Sequence, residues 1–193
     1  MLNHHQLQKN VYLCGAHIDK QIKRKNTMKK IAIRIAALLM VVAAACGCSS
    51  SELKTQNDTT TLSAINRNVD SVYNALKQSY ETFQPAEMDR ALDGFNKYLA
   101  EASLKLSEIK VEKDCQQLHD AVSSKVGVML SVASNEAKEQ VRIYKIPDSD
   151  FTAELRQQWD DISATVDKKV SAANAKVNQA IETINQKSKQ SGK

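Results

Sequence analysis

The stretch Phe151-Thr-Ala-Glu-Leu155-Arg-Gln-Gln-Trp159-Asp-Asp-Ile162-Ser-Ala-Thr-Val166-Asp-Lys-Lys-Val170-Ser-Ala-Ala173-Asn-Ala-Lys-Val177-Asn-Gln-Ala-Ile181-Glu-Thr-Ile184 decides the fold. Phe151, Ile162, Ala173 and Ile184 recur every eleven residues, as do Leu155, Val166 and Val177, and Trp159, Val170 and Ile181. Eleven residues over three turns is about 3.67 per turn, so the apolar stripe stays on one side of a nearly straight helix. Asp148 and Ser149 offer an N-cap, which predicts a helix over 149–188 that spans about 55 Å at 1.5 Å per residue. A single stripe of this kind needs other helices to cover it.

Moving toward the N-terminus, three more helical patterns supply them. Cys115, Leu118, Val122, Val126, Met129, Ala133, Ala137, Val141 and Tyr144 predict a helix over 114–146 that stops before Pro147. Met88, Leu92, Phe95, Leu99, Ala102, Leu106 and Ile109 predict one over about 85–110, with Glu87 and Asp89 favoured in its first turn. Between these two no Pro or Gly intervenes, but the stripe fails at Lys113, and Asp114 with Gln117 resembles a capping box. We place a short turn at 110–114; the alternative is one helix running through it. Leu62, Ile65, Val69, Val72, Leu76 and Phe83 predict the first helix, 61–83, closed by Gln84-Pro85 because proline disfavours helix in the residue before it. No alternating strand pattern accompanies these segments. The expected fold is all-α: an up-down-up-down four-helix bundle whose two longer C-terminal helices overhang the first two.

Ahead of the bundle, residues 49–60 are polar apart from Leu53 and are expected to form a flexible tether, holding the domain roughly 20 Å from its attachment point. Before that lies Met28-Lys-Lys-Ile-Ala-Ile-Arg-Ile-Ala-Ala-Leu-Leu-Met-Val-Val-Ala-Ala-Ala-Cys46-Gly-Cys48. Two lysines, an apolar run from Ile31 to Ala45 and small residues leading to a cysteine are the marks of an export leader. The run is short of the roughly 20 apolar residues of a membrane span and contains Arg34. Residues 1–27 are expected to be an untranslated or disordered extension, since Met28-Lys29-Lys30 is a complete start by itself. Residues 189–193 are expected to be a disordered tail.

Removing the leader changes the electrostatic reading. Residues 1–47 hold eight of the 27 Lys and Arg but one of the 22 Asp and Glu, leaving 19 basic against 21 acidic residues from Cys48 onward. The pI near 8.9 therefore belongs to the leader and is no nucleic-acid footprint. Three of four histidines and one of four cysteines also precede residue 28. What remains is His119, with Cys115 one helical turn away, too few ligands for a zinc site. Cys115 lies on the core stripe, where a thiol is ordinary packing. The acids have no Gly-centred calcium-loop spacing, and the scattered glycines form no phosphate loop. We expect neither catalysis, nor a metal or cofactor, nor nucleic-acid binding.

The small-residue approach to Cys48, followed by three serines, resembles the lipobox of bacterial lipoproteins; Cys46, after Ala44 and Ala45, is the fallback. The resemblance implies a diacylated cysteine embedded in the bilayer and a place in the cell envelope, and serine after Cys48 in place of aspartate leans toward the outer membrane over the inner. The plan as a whole is similar to small helical-bundle envelope lipoproteins of Gram-negative bacteria. Within the bundle, aromatic residues gather at the end remote from the tether, and Tyr144, Ile146, Phe151 and Trp159 are the candidate contact site for an envelope protein partner. The other reading is that these rings are core. The Ala/Asn/Lys-rich last helix and terminal Lys193 also resemble the major outer-membrane lipoprotein of enteric bacteria. That likeness implies a structural spacer, self-associating or linked to peptidoglycan near Lys193.

Overall fold

A computed structural model describes residues 50–191; the leader, Cys46, Cys48 and Lys193 lie outside the described residues. The chain forms α1 (Ser50–Ser79), α2 (Pro85–Glu108), α3 (Gln116–Val132), α4 (Lys138–Tyr144) and α5 (Ala153–Ser191), with no strand among the described residues. A π turn, Ala133–Ala137, joins α3 and α4 into one rod, giving an all-α bundle of four rods. Cross-links at the rod ends show alternating chain direction: Lys54 Nζ meets Glu112 at 2.7 Å, Lys145 meets Asp89 at 2.6 Å, and Lys187 meets Asp114 at 2.9 Å. The first three rods pack on one another, while α5 lies chiefly along α3 and α4. Leu62, Val69, Leu76, Phe95, Leu99, Leu118, Val122, Met129, Val166 and Val177 form the shared core, so the predicted stripes are the ones that are buried. The boundary between the second and third helices is a real break: residues 109–112 belong to no helix, Ile109 and Glu112 are extended, and a 3₁₀ turn follows at Lys113–Cys115.

Helix boundaries and lengths differ from the sequence reading at several points. The expected tether at 49–60 is helical from Ser50 onward. Its polar residues have tertiary partners: Asp58 accepts the Glu112 backbone N–H at 2.8 Å, and the Thr59 hydroxyl lies 3.4 Å from Cys115 Sγ. With no Pro or Gly in that stretch, these contacts are enough to extend the helix. α1 is thus 30 residues, about 45 Å, and α2 with 24 residues, about 36 Å, is the short rod. The expected overhang of a long pair over a short pair is replaced by one long helix, the 39-residue α5. Residues 189–191, expected to be disordered, complete α5. Finally, Asp148 and Ser149 form a 3₁₀ turn instead of capping α5, and Thr152 Oγ1 accepts the Leu155 N–H at 3.3 Å in their place.

Candidate functional site

At the end of the bundle remote from Ser50, two prolines shape the surface. Pro85 at the start of α2 holds Gln84 extended, at φ −108° and ψ 109°, so α1 cannot run on. α1 instead tightens into a 3₁₀ turn, Tyr80–Thr82, and Phe83 takes a left-handed φ of 56°, the one non-glycine positive φ among the described residues. This turns Tyr80 inward and Phe83 outward, leaving Phe83 57% exposed. The sequence reading placed Phe83 on the buried stripe of the first helix; the forced reversal at Pro85 is what expels it. Across from it, α4 ends before Pro147, and the 3₁₀ turn Asp148–Asp150 leads into α5. Lys145, held by both carboxylate oxygens of Asp89, locks the two connections together.

Four rings from three rods meet here. Tyr80 stacks on Tyr144 at 5.6 Å with an interplanar angle of 11°; Trp159 meets Tyr144 edge-on at 4.6 Å and Tyr80 at 5.4 Å. Phe83 leans on the outer side of Tyr144 at 5.9 Å. A polar chain ties the cluster down: Gln140 donates to Ser163 Oγ at 3.0 Å, Ser163 donates to the Trp159 carbonyl at 2.8 Å, and the Tyr80 hydroxyl makes a long 3.5 Å bond to Gln140. Burial pushes the Tyr80 hydroxyl far above its ordinary pKa, reinforced by Tyr73 and Tyr144. Burial also raises Tyr144, and the charge of neighbouring Glu81 adds to it.

Of the four residues singled out in the sequence, the fold brings Tyr144 and Trp159 into direct contact, each half-buried with one side against the core. Ile146 and Phe151 are half-buried on either side of the Pro147–Asp150 turn. The sequence reading assigned Phe83 to the core and so missed it as the most exposed ring of this end. No pattern marks it, because a left-handed phenylalanine has no sequence signature.

Elsewhere, Cys115 and His119 do not face each other. Cys115 Sγ donates to the Thr55 carbonyl at 3.4 Å, and burial raises its pKa, which suppresses the thiolate. His119 Nε2 lies 2.9 Å from the Leu106 carbonyl oxygen, an acceptor only, so that nitrogen carries the proton and pins the helix end. Among the described residues no three His, Cys, Asp or Glu side chains are grouped to hold an ion, and no helix is long and apolar enough to cross a membrane. Two ion pairs reach from the rods' buried faces to the surface. Lys125, 1% exposed, donates to Asn66 at 2.7 Å and Asp70 at 2.6 Å, and Lys169 pairs with Glu136 at the π turn. Along the first turns of α5 runs an open groove of about 570 Å³ whose lining includes Glu136, Glu154, Asp161 and Ile162.

Comparison with protein-family models, with curated proteins and with solved structures finds no match to any of them.

Proposed function

We propose that this chain is a lipid-anchored envelope protein, held by an acyl-modified Cys48 or failing that Cys46, whose helical bundle is a non-enzymatic binding module. In this reading the remote aromatic end is the contact site, with Phe83, Tyr144, Ile146, Phe151 and Trp159 facing an envelope protein partner, and Ser49 favours the outer membrane over the inner. The observation that carries it is Phe83. A non-glycine residue held left-handed costs of order 1–3 kcal/mol, and here that strain keeps an aromatic ring in water. A ring left in water beside the half-buried Tyr144 is the apolar surface on which this reading rests. The test has two parts. Intact mass of the protein extracted from its native envelope should give a chain starting at Cys48 with acyl chains attached. A photo-crosslinking phenylalanine at position 83 should yield one discrete adduct, absent when the probe replaces exposed Leu104 on α2. An unmodified chain removes the anchor, and identical smears from both positions remove the contact site.

A second reading, the spacer, gains support from one feature: α1 begins two residues after Cys48 and α5 runs unbroken to Ser191, a stiff rod in place of a tethered domain. It requires a peptidoglycan-bound fraction that survives boiling in detergent and vanishes on deleting Lys193.

A further inference from the structure

We propose that Lys125, with Asn66 and Asp70, is a register lock: a conformational device that holds α1 at one axial position against α3 and so assembles the remote ring cluster. The inference stands independently of the anchor and of the contact site. Its basis is a degeneracy in α1. A slip of seven residues puts Val69 in the place of Leu62, Val72 in that of Ile65, Leu76 in that of Val69, Tyr80 in that of Tyr73 and Phe83 in that of Leu76. Each of these apolar positions is refilled by an apolar residue. Core burial alone therefore hardly distinguishes the native packing from one displaced by about 10 Å along the axis. Smaller slips are already disfavoured, because they put Asn66 in the place of Leu62 or Asn68 in that of Ile65.

Lys125 breaks the degeneracy. It lies buried on α3, and its Nζ donates to Asn66 Oδ1 at 2.7 Å and to Asp70 Oδ1 at 2.6 Å, one turn apart on α1. With α1 displaced by seven residues, those two places are taken by Tyr73 and Lys77 in one direction and by Thr59 and Ser63 in the other. The first sets an ammonium against an ammonium, and the second offers hydroxyls but no carboxylate. Either way the buried charge loses its counter-charge. The other polar links from α1 discriminate less: Lys54–Glu112 is exposed, Asp58 holds only the connection before α3, and the Tyr80–Gln140 bond is 3.5 Å long. A single polar residue choosing among apolar registers is the best-attested role of such buried groups in helical assemblies. The consequence falls at the far end, where the native register is the one that stacks Tyr80 on Tyr144 and brings it to Trp159.

Trp159 is the only tryptophan in the chain, and its ring lies 5.4 Å from that of Tyr80, in the turn that ends α1, so its indole N–H resonance senses where α1 sits. The test replaces the lock by apolar residues in the full chain, as Asn66→Leu/Asp70→Leu/Lys125→Met. The urea midpoint should equal or exceed that of the parent, while the single indole resonance of the parent splits into two or more. Lys125→Met alone is the second variant; it removes the buried charge and leaves the part-exposed Asp70 in water. Splitting in either variant at an undiminished midpoint supports the lock, since a merely stabilising contact would lower the midpoint and leave one resonance. One indole resonance at the parent position in both variants overturns it, because core shape then sets the register unaided. Loss of a cooperative transition in both variants also overturns it, because the cluster is then needed for stability and not for register.

Discussion

Single residues carry the polar decisions in this bundle. Lys125 lies three positions after Val122 and four before Met129, on the apolar stripe of α3, and is buried because Asn66 and Asp70 on α1 receive its ammonium. Burial lowers its pKa, while the bond and charge of Asp70 pull it back up. Asp70 is 39% exposed and stays wet when the lysine is removed, but Lys125 has no such refuge. Asp70→Ala should therefore cost about 1.5–3 kcal/mol in urea unfolding, and adding Lys125→Met should restore about 1 kcal/mol or more. A double variant no more stable than Asp70→Ala would show that Asp70 does not compensate the lysine. Phe83 tests the opposite case. Phe83→Gly loses a ring contact worth about 0.5–1.5 kcal/mol and releases about 1–2 kcal/mol of left-handed strain. Its stability should stay within about 1 kcal/mol of the parent, against the 3–5 kcal/mol loss of a core phenylalanine such as Phe95→Ala. A loss of core size would make Phe83 structural. These residues were the hardest to read in the sequence. Lys125, Glu136 and Gln140 each follow a stripe residue by three positions, and periodicity alone does not distinguish a polar residue that finds a partner from one that turns to solvent.

At the scale of elements, the sequence was most legible where apolar spacing was densest. Every buried residue of α2 lies on its predicted stripe, and the eleven-residue repeat of α5 supplies Val166, Ala173, Val177 and Ile184 to the core. The first third of α1 was illegible because its helicity comes from tertiary contacts made by Lys54, Asp58 and Thr59, residues that by composition read as a linker. In the remote aromatic cluster, Tyr144 and Trp159 were placed by the same periodicity, whereas the exposure of Phe83 depends on a backbone turn that no spacing encodes. If Asp58 is what extends α1 by satisfying the Glu112 N–H, Asp58→Ala should cost about 1 kcal/mol overall. The more diagnostic readout is amide hydrogen exchange. Residues 54–60 should be protected in the parent protein and should exchange much faster in the variant, with α2 and the second half of α1 unchanged. Rapid exchange of 54–60 in the parent protein would instead restore the flexible tether.

For the whole molecule, replacing a tether by a helix changes how the bundle would stand on the proposed anchor. A twelve-residue flexible linker would let the domain wander over roughly 20 Å and tumble, presenting every face to the bilayer in turn. With α1 helical from Ser50, only Ser49 separates it from Cys48, and the other rods run up and down alongside α1. The connection at Lys113 then lies beside Lys54 and Asp58, within about 12 Å along the axis of the start of α1, whereas Phe83 lies about 45 Å from it. For the anchored protein, a spin label at Lys113→Cys should be strongly relaxed by a paramagnetic chelate on the lipid headgroups, and one at Phe83→Cys hardly at all. Buried Cys115 stays unlabelled in both. Inserting a flexible Gly/Ser segment between Ser49 and Ser50 should shrink that contrast by letting the rod tilt. Equal relaxation at both positions in the parent protein would mean the bundle lies flat, which would bring the aromatic end to the membrane surface and remove the geometry on which an outward-facing contact site depends.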